Sequence, residues 1–141
     1  MQILGVIQHK QPEFYEVLQL MMRSLALDAI APNQATYKAF SHYAGMLFLL
    51  LQHPRLIAVP TLEIDEVLHH FLHQQDRKLA CFKGFNFSAI AHIKASNNQT
   101  KFAQTKALFE QEFQTTYGDQ SAACEIFIRC DVRSCLTSFL D

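Results

Sequence analysis

A chain of 141 residues, half of them hydrophobic and 18% charged, has enough apolar content for one ordinary core and too much to remain disordered. Twelve basic residues against thirteen acidic ones, with neither sign gathered into a run, leave no electrostatic footprint for nucleic acid or anionic lipid. The most apolar run, Tyr43 to Leu51, falls well short of the ~20 residues that cross a bilayer, so no membrane span is expected.

Met1 to Ile7 is short, uncharged and followed by His9, Lys10 and Gln11 rather than by a small-residue cleavage site, which argues against a signal peptide. Cys81, Cys124, Cys130 and Cys135 form no Cys-x-x-Cys pair. A domain of this size needs no disulfides, so reduced thiols and a cytoplasmic location are the expectation.

In chain order, Gln2 to Gln8 reads as a short extended piece, with Ile3, Val6 and Ile7 apolar but not cleanly alternating. Pro12 suits a first helical position, and Phe14, Val17, Leu18, Met21 and Leu25 recur with helical spacing until Pro32, predicting a helix over 12–29. Asn33 is a good cap for a second helix striped by Tyr37, Phe40, Ala44, Leu47 and Leu51. Met46, Phe48, Leu49 and Leu50 make its second half apolar almost all round, which marks it as the central, most buried helix. His53-Pro54 closes it, and 55–59 reads as an extended connection.

The densest polar chemistry follows. Pro60 forbids a preceding helical turn, and Thr61 can accept a hydrogen bond from a first-turn amide. Glu63 and Asp65 suit the positive end of a helix whose apolar stripe is Ile64, Val67, Leu68, Phe71 and Leu72. At ~100° per residue, Asp65 and His69 share one edge of that stripe, four residues apart and within reach of each other. The polar run Gln74 to Lys78 either continues or breaks this helix.

Gly84 and Asn86 mark a turn, Phe87 to Ile93 is short and apolar around His92, and 95–99 is a loop by composition. Phe102, Leu108, Phe109 and Phe113 then stripe a further helix that Gly118 would end in the left-handed conformation. In the tail, 121–141, Ile126, Phe127 and Ile128 are strand-like. Cys124, Ile128, Val132, Cys135 and Phe139 also fit an imperfect helix, and the pattern does not choose between the two.

With these elements placed, 37–113 resembles the glycine-rich domain-containing protein-like family. Its members carry an extended Val-Pro-Ser/Thr entry followed by an Asp-x-x-Trp-His helix. The corresponding run here is Val59-Pro60-Thr61, then Asp65-Glu66-Val67-Leu68-His69. His92 lies where the family tends to place a histidine pair, and Thr105-x-x-Leu108-Phe109 with Phe113 is similar to its Thr-x-x-Leu-Tyr helix. The chain departs from the pattern at Leu68, where the family has Trp, at Ala91, where the first histidine of the pair would stand, and in lacking a Gly-rich tail. The resemblance implies a fold more than a reaction, since the family has no settled activity.

The sharpest chemical reading is a metal site made by Asp65, His69 and His92 with Cys81 as fourth ligand. One carboxylate and two imidazoles suit Zn or Fe(II), and a helix can present two ligands at i, i+4. The bland alternative is that Asp65 accepts a hydrogen bond from His69 or from a neighbouring amide and merely fixes the helix. Cys81 as a nucleophile is a weaker reading, because nothing nearby lowers its pKa and Leu79 and Phe82 suggest a small core side chain. In His69-His70-x-x-His73 the three rings spread over ~100° of the helix and do not share one ion. His42 and His53 read as surface or capping residues.

No Gly-rich phosphate loop, Gly-x-Ser-x-Gly elbow or His-Glu-x-x-His motif occurs, which argues against nucleotide-dependent catalysis and serine hydrolysis. The sequence therefore predicts an all-α fold: a single mainly helical domain over 1–141 with one or two short extended segments. Its second helix is packed by helices starting near 12, 61 and 99. The expected function is a non-enzymatic interaction or regulatory module with a protein partner or a second copy of itself. A metal-binding protein or metal-dependent enzyme using Asp65, His69 and His92 is the alternative, and it requires His92 to lie beside His69 in space.

Overall fold

The computed structural model describes residues 2–28, 34–74 and 90–129. The expected cap Asn33, the turn at Gly84 and Asn86, Cys81 and the tail beyond Arg129 lie outside these residues. Five helices and one two-stranded antiparallel sheet make up the described part, so the protein is mainly helical. In order they are α1 (Gln2–Lys10), α2 (Pro12–Asp28), α3 (Gln34–Gln52), α4 (Leu62–Gln74), β1 (Ile90–Lys94), α5 (Gln99–Phe113) and β2 (Cys124–Ile128).

The N-terminal segment is helical rather than extended. Ile3, Leu4 and Ile7, at i, i+1 and i+4, form one buried face that packs toward α2, α3 and α5. Burial of that face outweighs the weak local preference of a short segment. Pro12 has no N–H to lose at the head of α2, so the chain turns from α1 into α2 while Gln11 and Tyr15 keep their bonds to Ile7 and Gln11 carbonyls (2.7 and 3.0 Å). Phe14, Val17, Leu18 and Met21 form the buried stripe of α2.

Every residue of α3 from Phe40 to Leu50 is buried, and α1, α4 and α5 all pack on it. A helix apolar all round has to be covered all round. Gly45 lets α1 and α5 close in: a Cβ there would lie 2.7 Å from Phe109, 3.1 Å from Phe113 and 3.2 Å from Ile3.

The strap leading into α4 is the joint between helices and sheet. Ala58, Val59, Pro60 and Thr61 are all buried, so their backbone groups need partners. Ala58 exchanges both bonds with Ile126 at 2.8 Å, and the Pro60 carbonyl accepts from Ala122 N at 2.9 Å. Val59 is held by side chains: its N–H donates to Thr105 Oγ1 (3.0 Å), and its carbonyl accepts from the Tyr117 hydroxyl (2.7 Å). Proline has no N–H to satisfy here. Thr61 caps α4 as expected, accepting from Ile64 N at 3.2 Å.

β1 and β2 pair with Ile90 opposite Ile128, His92 opposite Ile126 and Lys94 opposite Cys124. The strand reading of the Ile126 region thus prevails, because the Ala58 strap and β1 flank it on both sides. The helix before it stops at Phe113, earlier than Gly118. Gln114 takes the left-handed position (φ 52°), and its N–H returns to Glu110 O, while Gly118 (φ 119°) shapes the loop beyond.

His42 differs from the surface or capping role its sequence position suggests. It is buried against Phe109, with ring centroids 5.2 Å apart, and its ring nitrogens face the Lys38 and Thr116 carbonyls at 3.0 and 2.9 Å. The exposed His53 lies just beyond the end of α3.

Candidate metal centre

The strap determines which side chains meet. Because 58–61 runs antiparallel to 121–126, the first turn of α4 starts beside β2, and Asp65 in that turn faces the sheet. Alternate residues of a strand share a face, so His92 and Cys124 stand on the same face of the sheet. Both reach Asp65.

His92 Nε2 lies 3.4 Å from Asp65 Oδ1, and His69 Nδ1 lies 3.7 Å from Asp65 Oδ2. The two imidazoles are 5.2 Å apart between centroids, edge toward face. One ligand atom from each of Asp65, His69 and His92 falls within 4.8 Å of the others. Four ligand atoms at ~2.0 to 2.3 Å around a tetrahedral zinc are roughly 3.3 to 3.8 Å apart, so the two contacts with Asp65 are close to ligand spacing. His69 is half exposed, while Asp65 and His92 are 20% and 19% exposed, which gives the cluster an inner wall and an outer mouth.

His92 Nε2 itself is buried and makes no hydrogen bond among the described residues. Buried polar atoms rarely go without a partner, and those that do call for an explanation such as an ion. The 3.4 Å contact to Asp65 is longer than an ordinary N–H···O hydrogen bond and does not satisfy it.

Of the residues singled out from sequence, Asp65, His69 and His92 come together and Cys81 lies outside the described residues. The side chain of His73 is outside them too. Cys124 was missed. Its buried thiol is free and donates to Asp65 Oδ1 at 3.4 Å, against the same oxygen that faces His92. Burial, then the charge of Asp65 and the hydrogen bond to it, push the Cys124 thiol up to about 12, with Glu125 adding to the effect. At neutral pH the group is therefore a thiol. A strand over 124–128 puts Cys124, Ile126 and Ile128 on one face, but only the pairing of that strand with β1 and with 58–61 brings the thiol to Asp65.

Chemically, one carboxylate and two imidazoles are a donor set for a divalent transition metal, with a further coordination position left over. No known protein family, curated protein or solved structure matches the chain. Fold and site together define a small, mainly helical domain with an acid-histidine cluster at a helix-sheet joint.

Proposed function

We propose that this protein is a metal-binding domain in which Asp65, His69 and His92 hold one divalent ion, zinc or ferrous iron. The observation that carries the reading is the convergence of three ligand atoms within 4.8 Å from a helix and a strand far apart in sequence. The buried, unbonded Nε2 of His92 adds support, because a simple Asp65 and His69 pair would leave it unexplained. Membership of the glycine-rich domain-containing protein-like family belongs to the same proposal, supported by the Val59-Pro60-Thr61 entry and the Asp65 to His69 run. A reducing, cytoplasmic setting fits the free thiol of Cys124.

An interaction module has thinner support. Among the described residues the exposed large apolar side chains are Tyr37, Ile57, Leu62 and Ile93, and a few exposed apolar side chains are normal on a monomer. No helix among the described residues is long and apolar enough to cross a membrane.

The test is elemental mass spectrometry on untagged protein purified without chelator. Near-stoichiometric zinc or iron, lost in both His69→Ala and His92→Ala, is the expected result. Metal-free wild-type protein that also fails to take up added zinc would end the reading.

A further inference from the structure

We infer that Cys124 is the fourth ligand of this centre, which makes it a closed Asp-His-His-Cys zinc clamp between α4 and the sheet. The inference rests on the three-ligand reading above and goes beyond it by naming the remaining donor and the ion.

The Cys124 sulfur and His92 Nε2 approach the same Asp65 oxygen, each at 3.4 Å. Both stand on one sheet face, and because the three donors within 4.8 Å of one another do not include Cys124, four-fold ligation requires its side chain to turn toward the two imidazoles. The backbone of Cys124 is fixed by pairing with Lys94 and by the buried Asn98 amide, which donates to the Cys124 carbonyl at 3.3 Å and to that of Ala122 at 3.1 Å. Asn98 stands immediately before α5 yet makes no side-chain cap for it; its amide is spent on this strand instead. Cys124 is buried, and the 3.4 Å contact of its sulfur with Asp65 Oδ1 places that sulfur at the edge of the cluster.

A thiolate changes what the site selects. Sulfur donors favour zinc and other soft or borderline ions and disfavour magnesium and calcium, which take oxygen ligands. Four protein ligands also leave no open position, the mark of a structural rather than a catalytic zinc site. On binding, the sulfur-to-metal bond replaces the S–H bond, and the proton now donated to Asp65 leaves to solvent. Nothing is oxidised or reduced. The clamp joins the first two turns of α4 to both strands.

The experiment uses cobalt(II) as a spectroscopic probe on the full chain stripped of metal, comparing wild type with Cys124→Ser, Cys81→Ser and His92→Ala. Wild type should bind one equivalent with a near-ultraviolet thiolate-to-cobalt charge-transfer band and the intense visible bands of four-coordinate cobalt. Cys124→Ser should retain binding through the other three ligands, lose the charge-transfer band and bind more than ~10-fold more weakly, the least that even outer-shell substitutions cost. Cys81→Ser should match wild type.

One-to-one binding by wild type without a sulfur band overturns the fourth ligand and leaves the three-ligand centre standing. A band that survives Cys124→Ser and disappears in Cys81→Ser overturns it in favour of Cys81. Absence of cobalt and zinc binding by wild type overturns both readings together. The wild-type spectrum is informative even if a variant folds poorly.

Discussion

Truncating His92 separates an ion-binding role from a packing role, because the two predict different responses to zinc. In the metal-free protein, His92→Ala loses the contacts of a side chain that is 19% exposed, a cost of about 1 to 3 kcal/mol. It also deletes a buried nitrogen with no hydrogen bond, which relieves a desolvation penalty of about 1 to 3 kcal/mol. The two effects nearly cancel, leaving a net change within ~1 kcal/mol, or roughly 3 °C in Tm for a domain of this size. Zinc then divides the pair. At ~1,000 times its dissociation constant, an ion that binds only the folded state adds about 4 kcal/mol, a rise of more than 10 °C for wild type. The variant, short of one ligand, should rise by only a few degrees. Thermal unfolding followed by circular dichroism, with chelator and then with zinc, measures all four values. A variant that melts more than ~10 °C below wild type in chelator, with zinc shifting both equally, would show that His92 is a packing residue and would refute the reasoning.

Gly45→Ala should destabilise although it removes a glycine from a helix interior. The propensity gain of ~1 kcal/mol is opposed by a Cβ 2.7 Å from Phe109 and 3.1 Å from Phe113, overpacking that costs about 1 to 3 kcal/mol. A urea midpoint higher than wild type would contradict the packing of α3 against α5. Alkaline pH should also unfold the protein. Burial holds the Tyr43 and Tyr117 phenols well above their ordinary 10.0, so above that pH the unfolded chain gives up protons that the folded chain retains. Their stabilisation is complete below pH 10 and falls by about 1.4 kcal/mol per pH unit for each tyrosine as pH rises further. The raised Cys124 thiol acts in the same direction, beginning near its ordinary 9.0. In Tyr117→Phe the tyrosine contribution to that slope should halve, measured as urea stability at pH 9, 10 and 11, while stability at pH 7 drops through loss of the 2.7 Å bond to Val59 O. An unchanged slope would place Tyr117 outside the core.

Local pattern in the sequence was enough for the helices that carry long stripes. Pro12, the apolar second half of α3 and the Thr61 cap each act over a few residues, so their physics is legible without the fold. The same holds for Asp65 and His69, which helix geometry alone puts four residues apart on one edge. Where local signals were weak, the outcome depended on distant partners. The stretch 2–8 is a helix because Ile3, Leu4 and Ile7 find a surface on α2 and α3. Ile126 lies in a strand because Ala58 and His92 flank it.

The candidate centre divides along the same line. The sequence by itself determined half of it, the Asp65 and His69 pair, and named His92 as a third ligand by resemblance rather than by spacing. Only the tertiary structure decided that His92 reaches Asp65 and that Cys124 joins it, through the strap 58–61 pairing with 121–126 and turning the first turn of α4 toward the sheet. A helix fixes neighbours three and four residues away. The sequence separation of 59 between Asp65 and Cys124 is closed by backbone pairing and core burial, which no local pattern records.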